Sequence, residues 1–417
     1  MEHQKNNFLY NYWQYLFLFA FVFSLYGNTL KNKYALDDEY VVENNLKIKK
    51  GLNGIPEIFT SRYSTNKVKT FGYRPIVLTT FAIEYELFGE NTTINHFFNV
   101  FLYFLISIVL LKLLLRFFNN FSPYFILAIL VLFLAHPTHT EVVASLKNRD
   151  ELLSYLFALL SLHYTIKYAD TNKLLNLIFA LFLFAIAYLS KQSAVAFILL
   201  IPLSVYFFTD TKYWKIIVVF ILLFILWKLS DRFPRTFLGK SDRLNEFFEN
   251  PLFANDTFYQ RILTAIYSLF FYIKLVIFPK DLSFYYGYNT LPVESLFSIK
   301  SIISIIVHSF LFIYAILKFP KKDPISFGIL FYLISISIFI NLVKPVMGIV
   351  ADRYLFSAVF GFSIAIAFVV FKNTTALTKL SMIYNHVGKV DEAINVNVKF
   401  IEKNALIEEP YLNLANL

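Results

Sequence analysis

Apolar runs of roughly 18 or more residues recur along this chain, and that alone restricts what it can fold into. In hydrocarbon every backbone N–H and C=O must find its partner within the protein, so such runs fold as helices or as closed barrels. These runs are too long for barrel strands. Candidate spans fall near 12–30, 96–117, 122–136, 151–168, 173–189, 193–208, 213–230, 262–279, 299–318, 325–343 and 354–371. Across 417 residues 58% are hydrophobic, well above a soluble domain, and the mean hydropathy is +0.58. The N-terminal run lacks a small-residue cleavage site and is followed by many more, so it reads as the first span and not a leader.

The absence of cysteine excludes a disulfide framework, a thiolate nucleophile and any Cys-ligated metal. A net charge of +10 would suggest nucleic acid in a soluble protein. Here the Lys and Arg residues sit at span ends and in loops, where lipid headgroups or phosphates are the better partners, and no nucleic acid is expected. No Gly-rich phosphate loop, nucleophile elbow or metalloprotease helix motif is present, which argues against a soluble nucleotide donor.

Lys112, Arg116, Lys167, Lys173, Lys212, Lys215, Lys318, Lys321 and Lys322 fall on one side of the alternating short connections, outnumbering Lys147, Arg149, Lys191, Lys344 and Arg353 on the other. The positive-inside rule then predicts a cytoplasmic N-terminus. The count assumes that 262–279, flanked by Arg261 and interrupted by Lys274, dips into the membrane and returns; if it crosses, everything after it inverts. Two polar loops, 31–95 and 231–260, are placed on the exoplasmic side. Within the first, Arg74 to Gly89 is expected along the membrane surface.

Five polar clusters share that side: Asp37-Asp38-Glu39, Tyr73-Arg74-Pro75, His136 to Glu141 with Arg149-Asp150, Ser190-Lys191, and Asp352-Arg353-Tyr354. Paired carboxylates just past a span suit a general base that takes the proton of an attacking hydroxyl, although an acidic run in a loop is commoner as a solvated turn. Arg74, Lys191 and Arg353 can stabilise a departing phosphate, or simply snorkel to headgroups. His136, His139, Glu141 and Asp150 can be read as ligands of a divalent ion, yet their spacing matches no established zinc motif, and histidines capping the span serve as well. No cofactor is expected.

Beyond Lys372 the hydropathy falls and Leu380, Ser381, Tyr384, Gly388 and Asp391-Glu392-Ala393-Ile394 follow a tetratricopeptide pattern. Leu414-Ala415 echoes Leu380-Ser381 at the 34-residue period of such repeats. The chain divides into a membrane module over 1–372 and a partial repeat over 374–417.

In this order the clusters resemble the transmembrane and tetratricopeptide-repeat O-mannosyltransferases and their bacterial relatives, members of the GT-C glycosyltransferase superfold. The resemblance rests on Ala35-Leu36-Asp37-Asp38, Tyr73-Arg74-Pro75-Ile76 with Leu87-Phe88-Gly89, His136-Pro137-Thr138-His139-Thr140-Glu141 through Arg149-Asp150-Glu151-Leu152-Leu153, Leu189-Ser190-Lys191, Phe278-Pro279 with Leu282-Ser283-Phe284, and Asp352-Arg353-Tyr354-Leu355. It implies an all-α polytopic fold of about 10–11 spans. The implied reaction is inverting transfer of a mannose-like sugar from a polyprenyl phosphate to a protein Ser or Thr hydroxyl, on the exoplasmic face of the membrane. Asp37 and Asp38 inherit the catalytic position; Arg74, His136, His139, Glu141, Arg149, Asp150, Lys191, Arg353 and Tyr354 are the candidates for donor phosphate and substrate. Relatives carry a further span before the repeat, and this chain lacks one, which would leave the repeat on the cytoplasmic side. A carrier or flippase of a lipid-linked sugar is the competing reading; the scarcity of Gly and the absence of repeated halves weigh against it.

Overall fold

A computed structural model of the chain describes residues 7–64, 72–239, 246–288 and 295–403; the Leu414-Ala415 echo lies outside them. Among the described residues the secondary structure is helical: α1 (Asn7–Tyr26), α2 (Ile55–Phe59), α3 (Pro75–Phe88), α4 (Thr92–Phe117), α5 (Pro123–Leu134), α6 (Thr140–Ala144), α7 (Arg149–Thr171), α8 (Leu174–Ser190), α9 (Phe197–Phe208), α10 (Tyr213–Arg232), α11 (Arg235–Leu238), α12 (Phe258–Ile277), α13 (Ile299–Lys318), α14 (Pro324–Ser337), α15 (Ala358–His386) and α16 (Val390–Lys403). The helix starts follow local chemistry. Pro75, Pro123 and Pro324 open α3, α5 and α14, at positions whose N–H would have no partner in any case. Asn91, Ser122, Thr257, Ser298 and Asp323 accept first-turn amides through their side chains. Asn172, in the left-handed region at φ 56°, ends α7.

Thr92–Phe117, Phe258–Ile277 and Ile299–Lys321 are each long and apolar enough to cross a membrane. Pro123–Leu134 and Pro137–Ala144 form a bent pair, broken by 55°, that together reach the same length. The apolar helices at 174–190, 192–208, 324–337 and 358–370 are shorter. Lipid suits the exterior: α13 exposes Ile299, Ile306, Phe310 and Leu317, and α10 exposes Trp214, Ile217 and Leu229. The protein is a membrane protein.

Two ends of the bundle are defined by α4 and α7, which run parallel. Asn99 meets Arg149 at their starts and Arg116 meets Asp170 at their finishes. At 1.5 Å per residue the stretch of α4 from Asn99 to Arg116 separates these contacts by about 26 Å, close to the thickness of a hydrocarbon core. Although α12 has the length to cross, both its ends are tied to the Arg149 end: Arg261 donates to the Val343 carbonyl at 2.7 Å, and the Val276 carbonyl accepts from His136 at 3.0 Å. The next helix, α13, does run through, from Ser304 bonded to Ile266 to Phe319 stacked on Tyr206 near Thr209.

The sequence suggests a last span over 354–371 and a separate repeat after it. One helix runs from Ala358 to His386 across that boundary, because no proline or helix-ending glycine intervenes, and Gly388 at φ +73° makes the turn into α16. Phe360 packs on Phe133 and Phe368 on Phe118, so α15 runs toward the Arg116 end. Near its start Gly361 faces Gly328 of α14. A methyl group on Gly328 would fall 2.5 Å from the Gly361 carbonyl oxygen, so only glycine permits this backbone contact.

Candidate functional site

A cavity of about 610 Å³ opens at the Arg149 end, lined by Tyr34, Leu36, Asp38, Glu141, Phe284 and Asp352 among others. Three stretches far apart in sequence thus bring one carboxylate each to a single space.

The first comes from the turn after α1. Leu36 sits at φ 55°, a region that costs a leucine on the order of 1 kcal/mol, and the chain reverses there. The turn buries Asp38 and leaves Asp37 outside. Asp38 Oδ1 accepts the Lys147 backbone N–H at 2.8 Å, and Oδ2 accepts the Ala35 N–H at 3.2 Å. Each oxygen keeps a lone pair for a substrate hydroxyl. Burial pushes the Asp38 carboxyl up, only partly countered by the two amide bonds, and so strengthens it as a base. Asp37 is 3.6 Å from Lys147 Nζ and 40% exposed.

The second carboxylate, Glu141, opens α6 directly after the break at 135–139. It accepts from the Arg353 guanidinium at 2.7 Å, from the Arg353 backbone N–H at 3.0 Å and from Asn148 Nδ2 at 3.2 Å. The third, Asp352, lies 3.0 Å from the Tyr286 hydroxyl, and residues 281–288 are held to this side by the Tyr286 bridge to Ile349 and Val350. Burial, with Glu141 nearby, pushes the Asp352 carboxyl up to about 7 against the pull of Tyr286.

Behind this wall stands a set of cations. Arg74 pairs with Asp150 and lies 4.9 Å from the Tyr63 ring centroid. Lys191 reaches Asp150 at 3.0 Å and Glu151 at 2.8 Å. Lys147, which sequence reasoning assigned no role, stands among them: burial, Arg353 and Lys191 hold its ammonium down to about 8. A lysine crowded by like charges favours a site that receives an anion. Its signal in the sequence was slight, a single Lys beside Arg149-Asp150.

The remaining candidates have partners within the fold. Arg149 is fully buried: it pairs with Glu84, donates to Asn99 Oδ1 at 2.7 Å and the Asn95 carbonyl at 2.8 Å, and covers Phe81 at 3.7 Å. Asn95 in turn accepts from Tyr34, which fastens the segment bearing Asp38. His136 accepts the Thr138 amide on Nδ1 and donates from Nε2 to Val276, a helix cap and a tether. His139 is buried against Phe133 and Phe356 with Nδ1 2.7 Å from the Tyr103 hydroxyl. Among the described residues no three His, Asp or Glu side chains gather as a metal site. Tyr354 stacks on Phe339 and donates to the Met347 carbonyl at 3.0 Å, which positions the strap before Asp352.

Residues 244–312, spanning α12, Tyr286 and most of α13, match a family model described as protein O-mannosyl-transferase TMTC, DUF1736. A Caenorhabditis elegans protein O-mannosyl-transferase is 27% identical over 278 residues, 63% of this chain and 37% of the relative. Human protein O-mannosyl-transferase TMTC3 is 28% identical over 329 residues, 71% of this chain and 35% of its own length. Human TMTC1 is 30% identical over 141 residues, 33% of this chain and 16% of its own. The chain therefore spans little more than a third of the curated relatives that it matches most broadly. No solved structure matches it.

Proposed function

We propose that this chain, by its similarity to the TMTC protein O-mannosyl-transferases, is a lipid-phosphate-sugar-dependent glycosyltransferase. It moves a mannose-like sugar from a polyprenyl phosphate to a Ser or Thr hydroxyl of an acceptor protein. The observation that carries the reading is the cavity in which Asp38 faces Glu141 and Asp352, with Arg353, Lys147, Lys191 and Arg74 massed behind.

Asp38 is the general base. Its two amide bonds fix its direction, and its raised affinity for a proton suits it to take one from the attacking hydroxyl. The hydroxyl oxygen displaces the phosphate at the anomeric carbon from the opposite face, so configuration inverts. The leaving phosphate carries away the bonding pair, and Lys147 and Arg353 meet the charge that develops. Asp37, outside the cavity, acts on Lys147 across 3.6 Å. Because the donor is anchored in the bilayer, the site needs a mouth toward lipid, and Leu36 and Phe284 give its rim an apolar, exposed edge.

The chain is multi-pass, with α12 lying on the side of the site and the cavity facing the exoplasm. Exposed lysines gather at the opposite end, in line with the positive-inside rule.

The test is transfer of radiolabelled sugar from a polyprenyl-phosphate donor to protein in membranes bearing the chain, wild type against Asp38→Asn. Transfer that depends on Asp38 supports the reading. Equal transfer by both removes Asp38 as the base, and none by a folded wild type across several donors removes the reaction.

A further inference from the structure

At the end of the bundle opposite Asp38 a second cavity, of about 860 Å³, is walled by the connections that follow α4, α7 and α9. We propose that this cavity is a binding site for the phosphate-bearing headgroup of an anionic membrane lipid, separate from the sugar-transfer site and about a bilayer's thickness from it.

Its lining sets four cations, Arg116, Lys212, Lys215 and Lys322, against two carboxylates. One of these, Asp170, is taken up by the two-bond pair with Arg116, at 2.7 and 3.1 Å. The other, Asp210, points to solvent, 3.9 Å from Lys322. Two of the lysines are held in place by neutral oxygens: Lys215 by Asn172 Oδ1, and Lys322 by the Thr209 carbonyl at 3.0 Å. An ammonium has three donors, and each of those bonds uses one. Lys215 is therefore anchored without being neutralised, and Lys322 is countered only by a solvent-exposed carboxylate at 3.9 Å, so positive charge is left in the cavity for a phosphate.

Two helix starts add to this. Lys212 stands at the N-cap of α10, in the cavity wall, and α8 begins beside Asn172. Neither has a side-chain cap or an acidic residue in its first turn; the third amide of each turns back to the N-cap carbonyl, Lys215 to Lys212 at 2.9 Å and Asn176 to Lys173 at 3.0 Å, and the two amides before it are left for an anion. Depth identifies the source of the anion. Trp214 lines the cavity and is 57% exposed, and Tyr213 beside it is 71% exposed, the arrangement of aromatic side chains at a membrane–water interface. The volume accommodates a headgroup.

The experiment uses the full chain with Trp13→Phe and Trp227→Phe, leaving Trp214 as the fluorophore, in phosphatidylcholine nanodiscs with rising fractions of phosphatidylglycerol brominated near the headgroup. Quenching of Trp214 should saturate at a low phosphatidylglycerol fraction. Lys212→Gln, Lys215→Gln and Lys322→Gln together should raise the fraction for half-quenching by about tenfold or more. Lys112→Gln, Lys167→Gln and Lys318→Gln, which remove the same charge from the same end, should change it little. If the first triple variant does not fold, Lys212→Glu, at an exposed position, should by itself raise the fraction severalfold. Equal weakening by both triple variants would reduce the effect to diffuse surface charge and overturn the site. Relief of quenching by inorganic phosphate at fixed ionic strength would assign the pocket to a soluble phosphate and overturn the lipid.

Discussion

Arg149 offers a quantitative test of which charges build the site and which act in it. Its guanidinium is fully buried, and four of its five N–H donors are engaged, by Asn99, Thr80, Glu84 and the Asn95 carbonyl. Arg149→Ala would leave Glu84 as a buried carboxylate with Asn95 Nδ2, at 2.6 Å, as its remaining side-chain partner, and would strand the Asn99 and Asn95 oxygens. Breaking a buried pair in this way costs about 3–5 kcal/mol. At about 1.4 kcal/mol per tenfold, that is two to three and a half orders of magnitude in the folding equilibrium. Replacing both partners by apolar residues, Arg149→Met with Glu84→Leu, removes the desolvated charges together and should recover most of the loss. The assay is the thermal midpoint of the detergent-purified chain, read beside sugar transfer. A single substitution that costs nothing, or a double variant no more stable than Arg149→Ala, would refute the structural account. Full stability with transfer abolished would return Arg149 to the donor site.

Asp38→Asn should lower transfer by about 10²–10⁴-fold, the usual contribution of a general base, and Asp37→Asn by far less; equal losses would undo the division between the two. Lys147→Gln should raise KM for the lipid donor more than it lowers kcat, and donor binding by the wild type should weaken as pH rises through about 8, a limb absent from the variant. Asp352 titrates at about 7 in the fold against an ordinary 3.8, so the folded state keeps a proton that the unfolded chain gives up between those values. Its contribution to stability is full below about pH 4 and is lost as pH rises through about 7; chemical denaturation across that window should show the slope, and Asp352→Asn should flatten it.

Helix existence was legible because hydropathy reports burial in lipid directly, and the sequence spans fall on α1, α4, α5, α7 through α10 and α12 through α15, with shifts of a few residues at most ends and α15 running on well past 371. The shifts have causes. The span at 96–117 begins at Thr92, since Asn95, His96 and Asn99 are polar yet buried in the first turns of α4, where Arg149 and Glu84 engage both asparagines. Hydropathy counts such residues as loop. In the stretch after α1, Val41, Ile48, Ile58 and Tyr63 build a small core under α3, with no period to announce it because the turns there are short and irregular. The acidic pair was visible, but the choice between Asp37 and Asp38 depends on a single positive φ at Leu36, which no propensity foretells. Asp352 stood in a recognised cluster without a role, since its meaning depends on Tyr286, 66 residues earlier in the chain. The cations read as phosphate ligands proved to carry carboxylate partners as well, a pairing that only the fold can reveal.

The glycine contact between α14 and α15 bears on height. A donor held by its lipid tail is confined to a plane, so an enzyme acting on it must keep its reacting groups level with that plane. Asp352 and Arg353 lie just ahead of α15, and Gly328 against Gly361 is where that helix is pinned to its neighbour. A slip of one residue along the contact would shift them by about 1.5 Å relative to Glu141 and Asp38. On the proposed reaction the two glycines would serve as a gauge, fixing the altitude at which the carboxylates meet the membrane.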